Sequence, residues 1–180
     1  MGADRLRHDL VMNYIRPFSG MKVLDIGCGP ADILAYLPDV DYWGFDISEA
    51  YISRAQKAFA GRGKFHCKYL TKSDLPDLPK FDVVLAFGLL HHLDDSVAEN
   101  VLELASLALV SSGHLVTIDP CLGESRNMIA RLLIRHDRGQ NVRDRVGYET
   151  LAKNIFPSLK VQVRHQAWIP YTHCIMECGK

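Results

Sequence analysis

The stretch VLDIGCGPAD, residues 23–32, ends an aliphatic run at an acid and follows it with two glycines and a proline. The apolar run predicts a buried strand over residues 21–26. Gly27 and Gly29 let the backbone bend sharply, and they leave no Cβ in the way of a ligand. The sequence therefore predicts a strand that ends at a turn where a ligand can lie close to the backbone.

Outward from this turn, strand-like and helix-like pieces alternate. We predict further strands at 41–46, 64–69, 81–87 and 114–119, with helices at 31–37, 48–60 and 94–110 between them, and a helical stretch before Pro17. This order indicates a parallel sheet with helices on both faces. Two last strand-like stretches, 159–167 and 171–178, flank Pro170 and predict an antiparallel hairpin. We expect one domain, 1–180, with a helical insertion at 122–157.

Composition narrows the function classes. The 21 basic residues balance the 21 acidic ones, so the net charge favours neither a nucleic-acid binder nor a membrane-surface protein. The five cysteines are scattered without a CxxC pair, and we expect reduced thiols in the cytoplasm. The polar start MGADRLRHDL is unlike a signal peptide, and no apolar run approaches the ~20 residues that cross a bilayer.

The acids at the strand ends indicate which ligand the turn takes. In the dinucleotide pattern G-x-G-x-x-G the third glycine would fall at Asp32, whose carboxylate would repel a pyrophosphate. Asp25 favours a cationic group. Asp46, at the end of the second predicted strand, can accept both hydroxyls of a ribose, and Ile47 offers an apolar face to a base. An ammonium, a ribose and an adenine together describe S-adenosylmethionine.

Four ordered motifs, VLDIGCGPAD, WGFDIS, FDVVLAFGLLHHLDD and GHLVTIDP, resemble the class I S-adenosylmethionine-dependent methyltransferases of the small-molecule branch. The resemblance implies a three-layer α/β sandwich, whose seven-stranded sheet has the order 3-2-1-4-5-7-6 with strand 7 antiparallel. It also implies S-adenosyl-L-methionine as cofactor, S-adenosyl-L-homocysteine as product, and backbone carbonyls of Ala86 and Phe87 that meet the methionine ammonium. The implied cofactor residues are Asp25, Gly27, Cys28, Gly29, Asp46, Ile47, Ala86 and Phe87.

One departure from the family concerns adenine. The family often has an acid just after the third strand, where this chain reads HCKYLTKSD. Either Asp74 reaches the adenine amine, or a backbone group at residues 68–70 takes that place.

Three histidines are candidates for proton removal. His91 and His92 follow the fourth predicted strand, and His173 alternates with Tyr171 on one face of the last strand. An imidazole titrates near neutral pH and suits a general base. The alternative is that one of the paired histidines packs or caps near Asp94. Tyr171 is a candidate acceptor contact, and the absence of paired His–Asp metal spacing predicts no metal.

The predicted insertion carries the only strong local charge bias. Between residues 126 and 145, six arginines stand against two aspartates. Arginine offers a planar fork for carboxylate or phosphate, so Arg138 and Arg143 are candidates for an anion clamp, against a solvated helix face. We therefore expect methyl transfer to a small anionic metabolite. The alternatives are an RNA or other nucleic-acid methyltransferase and a non-catalytic cofactor-binding module; the missing third glycine argues against a nicotinamide enzyme.

Overall fold

The computed structural model describes residues 2–122, 141–166 and 171–180. Seven strands form one sheet: β1 Lys22–Ile26, β2 Asp41–Asp46, β3 Gly63–Cys67, β4 Phe81–Phe87, β5 Leu109–Pro120, β6 Ser158–Gln166 and β7 Tyr171–Gly179. The α-helices of the described residues are α1 Gly2–Leu10, α2 Glu49–Ala58, α3 Asp95–Ala108 and α4 Arg145–Ala152. A π-helical turn, Val11–Ile15, extends α1, and 3-10 turns lie at Asp32–Tyr36, Lys72–Asp77 and Leu90–His92.

The sheet order is β3-β2-β1-β4-β5-β7-β6. The neighbours β1–β2, β1–β4, β2–β3 and β4–β5 are parallel, whereas β7 runs antiparallel to both β5 and β6. The expected fold class is confirmed, including the C-terminal hairpin. Because β1 and β4 are neighbours while β2 lies on the other side of β1, the strand order reverses at β1. Ligands bind at such a reversal in open α/β sheets.

Two apolar cores cover the two faces of the sheet. The residues of strand β4 alternate between the two cores. Val83 and Leu85 pack in the core that contains α1 and the Asp32–Tyr36 turn, and Val84 and Ala86 pack in the core that contains α3 and α4. Side chains alternate across a strand, so a central parallel strand that is apolar throughout must be covered on both sides. This is the predicted three-layer arrangement.

Polar side chains cap the starts of α2 and α3, two of the helices that the sequence predicted. The Ser48 hydroxyl accepts a hydrogen bond from the Tyr51 N–H at 3.3 Å, and α2 follows it. The Asp94 carboxylate accepts from the Val97 N–H at 2.9 Å and begins α3. These bonds satisfy backbone donors that have no partner within the helix.

Strand β5 begins earlier than the predicted 114–119. Leu109 already pairs with Phe81, and α3 ends at Ala108 rather than at 110. The register then shifts between Phe81 and Val83, so residues 110–113 form an irregularity that the sequence presents as a turn. Gly113 lies against the β4 backbone there.

We expect Gly113→Ala to destabilise the fold by about 1–3 kcal/mol, the usual cost of overpacking. A Cβ at this position would lie 2.9 Å from the Asp82 carbonyl oxygen and 3.1 Å from that of Phe81, and backbone atoms cannot turn aside as a side chain can. Urea denaturation followed by circular dichroism measures the change. Ser112→Ala, at an exposed neighbour on the same strand, is the control and should stay within about 0.5 kcal/mol of wild type. Equal midpoints in the two variants would contradict the packing described.

The predicted insertion at 122–157 is described in part. Residues 123–140, with Arg138, lie outside the described residues. Helix α4 begins at the Asp144 cap and buries Tyr148, Leu151 and Ala152 in the core beside α3. Of the helices in the described ranges, none combines the length and the apolar character that a bilayer crossing requires.

Candidate active site

The carboxyl ends of β1, β2, β4 and β5 meet at one edge of the sheet. Backbone hydrogen bonds tie the turns there together: the Gly27 N–H donates to the Phe45 carbonyl at 2.8 Å, and the Gly88 N–H donates to the Ile118 carbonyl at 2.8 Å. Three acids lie within the last two residues of these strands: Asp25, Asp46 and Asp119. The edge therefore brings carboxylates from three separated parts of the sequence beside two glycine turns.

The turn after β1 has the left-handed backbone that favours glycine, with φ of 73° at Gly27 and 53° at Gly29. A Cβ at Gly27 would lie 3.0 Å from a methyl carbon of Leu89, whereas a Cβ at Gly29 would meet no atom within 4 Å in the part of the chain that the structure describes. The Cys28 side chain is buried, and its Sγ lies in the space that Gly44 leaves open. The open surface of this turn is thus its backbone at Gly29, and Cys28 would serve a ligand only through its backbone.

Asp25 is a buried carboxyl group with one oxygen engaged. Its side chain is 3% exposed, and the Tyr42 hydroxyl donates to Oδ2 at 2.5 Å. Oδ1 is buried and makes no hydrogen bond within the described part of the chain. Burial raises the pKa of Asp25 to about 7; the Tyr42 hydrogen bond lowers it, and the Asp46 charge raises it. A buried carboxyl oxygen of this kind is stabilised by a cation, since an unsatisfied buried acceptor costs about 1–3 kcal/mol.

Asp46 fixes two turns at once. Its Oδ2 accepts the Gly29 N–H at 2.9 Å, and its Oδ1 accepts the Ser48 N–H at 2.8 Å. Each carboxylate oxygen keeps a second lone pair, so both remain able to accept a hydroxyl. Ile47, the next residue, is 58% exposed and offers the apolar face that a base would cover. Both properties are compatible with the roles predicted for Asp46 at the ribose and Ile47 at the base, which stay predictions.

Asp74 makes its hydrogen bonds within its own turn. Its carboxylate accepts the Lys68 ammonium at 2.6 Å and the Thr71 N–H at 2.9 Å, so it closes a capping box on the Lys72–Asp77 turn. These bonds, that of Lys68 first, lower its pKa to about 2. Of the two alternatives for adenine, the geometry favours a backbone group at residues 68–70.

The end of β4 extends past its neighbour. The β1–β4 ladder ends at the Asp25–Leu85 pair, while Ala86 and Phe87 continue along β5 only. The β1 side of these last two residues therefore opens at the mouth of the strands. That is the position the family resemblance implies for carbonyls that meet an ammonium.

Asp119 lies beside the candidate histidines His91 and His173. His91 is buried, its Nδ1 lies 2.9 Å from Asp119 Oδ1, and its backbone N–H donates to the same oxygen at 3.2 Å. The exposed His92 ring lies beside that of His91, with centroids 3.9 Å apart. His173 pairs with Pro120 in the β5–β7 ladder; burial lowers its pKa, Asp119 raises it and His91 lowers it further. The sequence indicated the histidines and missed Asp119 as their partner, although the acid of TIDP ends its strand as Asp25 and Asp46 end theirs.

Arg143 makes its contacts inside the protein. The guanidinium is paired with Asp95 at 2.7 Å and donates to the carbonyls of Leu90 at 2.9 Å, Leu93 at 2.7 Å and Asn141 at 3.0 Å. With Nε on Asp95 as well, all five donors of the fork are engaged. This geometry favours a structural role, fixing the turn that carries His91, over the anion clamp that its charge suggested. Tyr171, the other candidate for an acceptor contact, begins β7 opposite Gln166, and its side chain is not among those that the structure describes.

Comparison with known proteins supports this architecture. A family model described as a methyltransferase domain matches residues 24–115, half of the chain. The tRNA U34 carboxymethyltransferase of Serratia proteamaculans is 28% identical over 142 residues, which cover 76% of this chain and 42% of that protein. The chain thus spans less than half the length of this curated relative.

Solved structures show the same fold at low identity. The S-adenosylmethionine-dependent methyltransferase SibL superposes with a TM-score of 0.75 at 16% identity, over 98% of this chain and 56% of that one. The YcgJ protein of Bacillus subtilis superposes with a TM-score of 0.73 at 13% identity, over 98% of this chain and 99% of that one. With the strand order, the glycine turn and the domain match together, the chain belongs to the methyltransferase domain family and has the class I S-adenosylmethionine-dependent methyltransferase fold.

Proposed function

We propose that the protein binds S-adenosyl-L-methionine and catalyses methyl transfer to a small-molecule acceptor. The observation that carries the proposal is Asp25, whose buried Oδ1 has no partner among the described residues, next to a glycine turn held by Asp46. A cation fits the carboxyl group of Asp25, and a ribose fits Asp46 beside the glycine turn. A nicotinamide dinucleotide fits this turn poorly, since the carboxylate of Asp32 stands at the position of the third glycine and would repel a pyrophosphate.

S-adenosylmethionine, when bound, supplies an activated methyl group on a sulfonium. Asp25 would face the ammonium of the methionine part together with the carbonyls of Ala86 and Phe87. Asp46 would accept the ribose hydroxyls, Ile47 would cover the adenine, and Gly29 would admit the ligand to the backbone, while Gly27 would let the turn bend beside it. The protein's remaining task is to hold an acceptor on the axis of the methyl group and away from water.

For the acceptor we propose a small metabolite with an anionic group, held in part by Arg138, which lies outside the described residues. The alternative acceptor is RNA, which the name of the Serratia relative favours. The zero net charge argues against it, since nucleic-acid affinity comes mainly from basic residues. We propose the cytoplasm as the compartment, which the buried free thiols of Cys28, Cys121, Cys174 and Cys178 support.

Calorimetry on the purified protein tests the cofactor assignment. We expect S-adenosylmethionine and S-adenosylhomocysteine to bind. Asp46→Ala should weaken the binding of both by about tenfold to a hundredfold, because a hydrogen bond to a charged group contributes about 1.5–3 kcal/mol. The loss should be at the upper end, since the substitution also releases the Gly29 turn. Asp39→Ala, at an exposed acid remote from the site, is the matched control. Unchanged affinity in Asp46→Ala would refute the assignment, and NADH should not compete.

The acceptor class needs a separate measurement. Release of S-adenosylhomocysteine is assayed with a panel of metabolites, with and without carboxylate or phosphate groups, and with bulk tRNA. Turnover with a metabolite supports the proposal. Turnover with tRNA alone, accompanied by a salt-dependent gel shift, would support the RNA alternative. Tight cofactor binding without turnover on any compound would favour the non-catalytic alternative.

A further inference from the structure

The cofactor proposed for this site carries a carboxylate, and the cofactor residues named above do not include a donor for it. Its methionine part bears an ammonium and a carboxylate on the same carbon. The residues proposed to line that ligand are hydrogen-bond acceptors or apolar: Asp25, Asp46, the carbonyls of Ala86 and Phe87, and Ile47. A carboxylate only accepts hydrogen bonds, so it requires a donor, preferably a cation, close to the group that meets the ammonium.

The backbone of the glycine turn, residues 27–31, does not supply this donor. Pro30 has no N–H. The other four N–H groups donate within the protein: those of Gly27 and Cys28 to the Phe45 carbonyl at 2.8 and 3.1 Å, that of Gly29 to Asp46 at 2.9 Å, and that of Ala31 to the Cys28 carbonyl at 2.9 Å. Because the turn has no N–H left to give, the carboxylate must be met by a side chain.

Helix α1 brings a cation to the side of the sheet that Asp25 faces. Side chains alternate along a strand, so Asp25 lies on the same face of β1 as Val23. Tyr42, which donates to Asp25, belongs to the same core as Val23, and α1 covers that core with Leu10. Arg7 of this helix therefore lies on the side of the sheet from which the ammonium would be bound.

Arg7 contacts the segment that follows the glycine turn. Its guanidinium lies 3.1 Å from Asp32 Oδ2. Asp32 follows Gly29 by three residues, so their Cα atoms lie at most about 11 Å apart. The side chains of Arg7 and Asp32 are 35% and 52% exposed, and so open a pair stabilises the fold little. This hydrogen bond uses one of the five donors of the guanidinium, so the same group can bind a second carboxylate.

Resting on the proposed function, we infer that Arg7 binds the carboxylate of the cofactor's methionine part, and that Asp32 is a positioning residue that holds the guanidinium beside the turn. Asp25 and Arg7 then meet the two opposite charges that one carbon carries. Because Arg7 belongs to α1, the bound cofactor also fixes this helix over the turn. This residue precedes the region 24–115 that matches the family model.

Two ligands that differ only in this carboxylate test the inference by calorimetry, without any turnover. S-adenosylhomocysteine carries the carboxylate. Its decarboxylated form, S-adenosyl-3-thiopropylamine, keeps the ammonium, the ribose and the adenine. We expect the wild type to bind S-adenosylhomocysteine at least about tenfold more tightly than the amine. Arg7→Gln should remove that preference: it should weaken S-adenosylhomocysteine about tenfold or more and change the amine less than about twofold.

Arg54→Gln, at an exposed arginine of α2, is the matched control and should leave both affinities at the wild-type values. Equal losses of the two ligands in Arg7→Gln would show a structural role alone, and an unchanged preference would show that another group holds the carboxylate. Either result overturns the inference and leaves the proposed function standing. A wild type that binds both ligands equally well would overturn it without any variant. If the wild type binds neither ligand, the proposed function fails as well.

The role of Asp32 is tested by combining two substitutions. Asp32→Asn should weaken S-adenosylhomocysteine and leave the amine unchanged, because Asp32 acts through Arg7. In the Arg7→Gln background the same substitution should then weaken neither ligand further, since residues that act as a pair are not additive. A further loss in that background would show that Asp32 does not act through Arg7.

Discussion

Gly29→Val should abolish binding of S-adenosylmethionine, with a loss of more than a hundredfold in affinity, while the protein still folds. At this residue a Cβ would meet no atom of the described residues within 4 Å, so the added side chain fills the space that the ligand is proposed to occupy. The left-handed backbone at φ 53° costs a residue other than glycine about 1–2 kcal/mol. Calorimetry gives the affinity, and thermal unfolding gives the cost in stability.

Gly61→Val is the matched control for this variant. Gly61 also has a left-handed backbone, with φ of 78°, and open space at its Cβ, but it lies in the turn between α2 and β3. Both variants should lose similar stability, and only Gly29→Val should lose the ligand. If both bind normally, the cofactor does not approach the protein at Gly29.

Binding of S-adenosylmethionine should weaken about a hundredfold between pH 8 and pH 5. Burial raises the pKa of Asp25 to about 7 in the free protein, so below that pH the carboxyl group holds a proton. The ligand's ammonium requires the carboxylate, so binding releases that proton and the dissociation constant rises about tenfold per pH unit below pH 7. Calorimetry in buffers of different ionisation enthalpy measures both the affinity and the proton released.

Two variants assign this pH dependence to Asp25. Asp25→Asn should bind weakly at every pH and lose most of the slope. Tyr42→Phe removes the hydrogen bond that lowers the pKa of Asp25, so the midpoint should move to higher pH. An unchanged slope in Asp25→Asn would place the titrating group elsewhere.

The free protein should show the opposite trend in stability. The pKa of Asp25 is higher in the folded chain than the ordinary 3.8, so the folded form holds the proton more tightly. The resulting stabilisation is complete below about pH 4 and is lost as the pH rises through 7. Cofactor binding and intrinsic stability therefore respond to this one group with opposite signs.

Features that depend on local pattern could be predicted from the sequence. The apolar run of β4 and the helices that start near residues 48 and 94 follow from residue type and spacing, and the structure confirms them. The start of β5 could not be predicted in this way, because SSG is typical of a turn. Only the pairing of Leu109 with Phe81 makes the segment a strand.

The partners within the site depend on tertiary register. The sequence indicates Asp25 as a group that faces a cation. Its hydrogen bond with Tyr42 could not be predicted, because it depends on how β1 and β2 align. The pairing of Asp119 with His91 depends likewise on β5 lying beside β4. Arg143 is the clearest case: its charge indicated a ligand or solvent contact, but no residue type signals that backbone carbonyls of a distant turn will receive its guanidinium.

The position of β7 has a consequence for how the chain folds. β7 follows β6 in sequence, yet it lies between β5 and β6, so β6 joins the sheet only through it. Until β7 pairs, β5 is an open edge that carries Leu115, Val116 and Ile118, and such edges template aggregation. Long-range pairing of this kind is also slow. Substitutions that weaken β7 should therefore first reduce the yield of folded protein during synthesis, before they reduce the activity of the molecules that do fold.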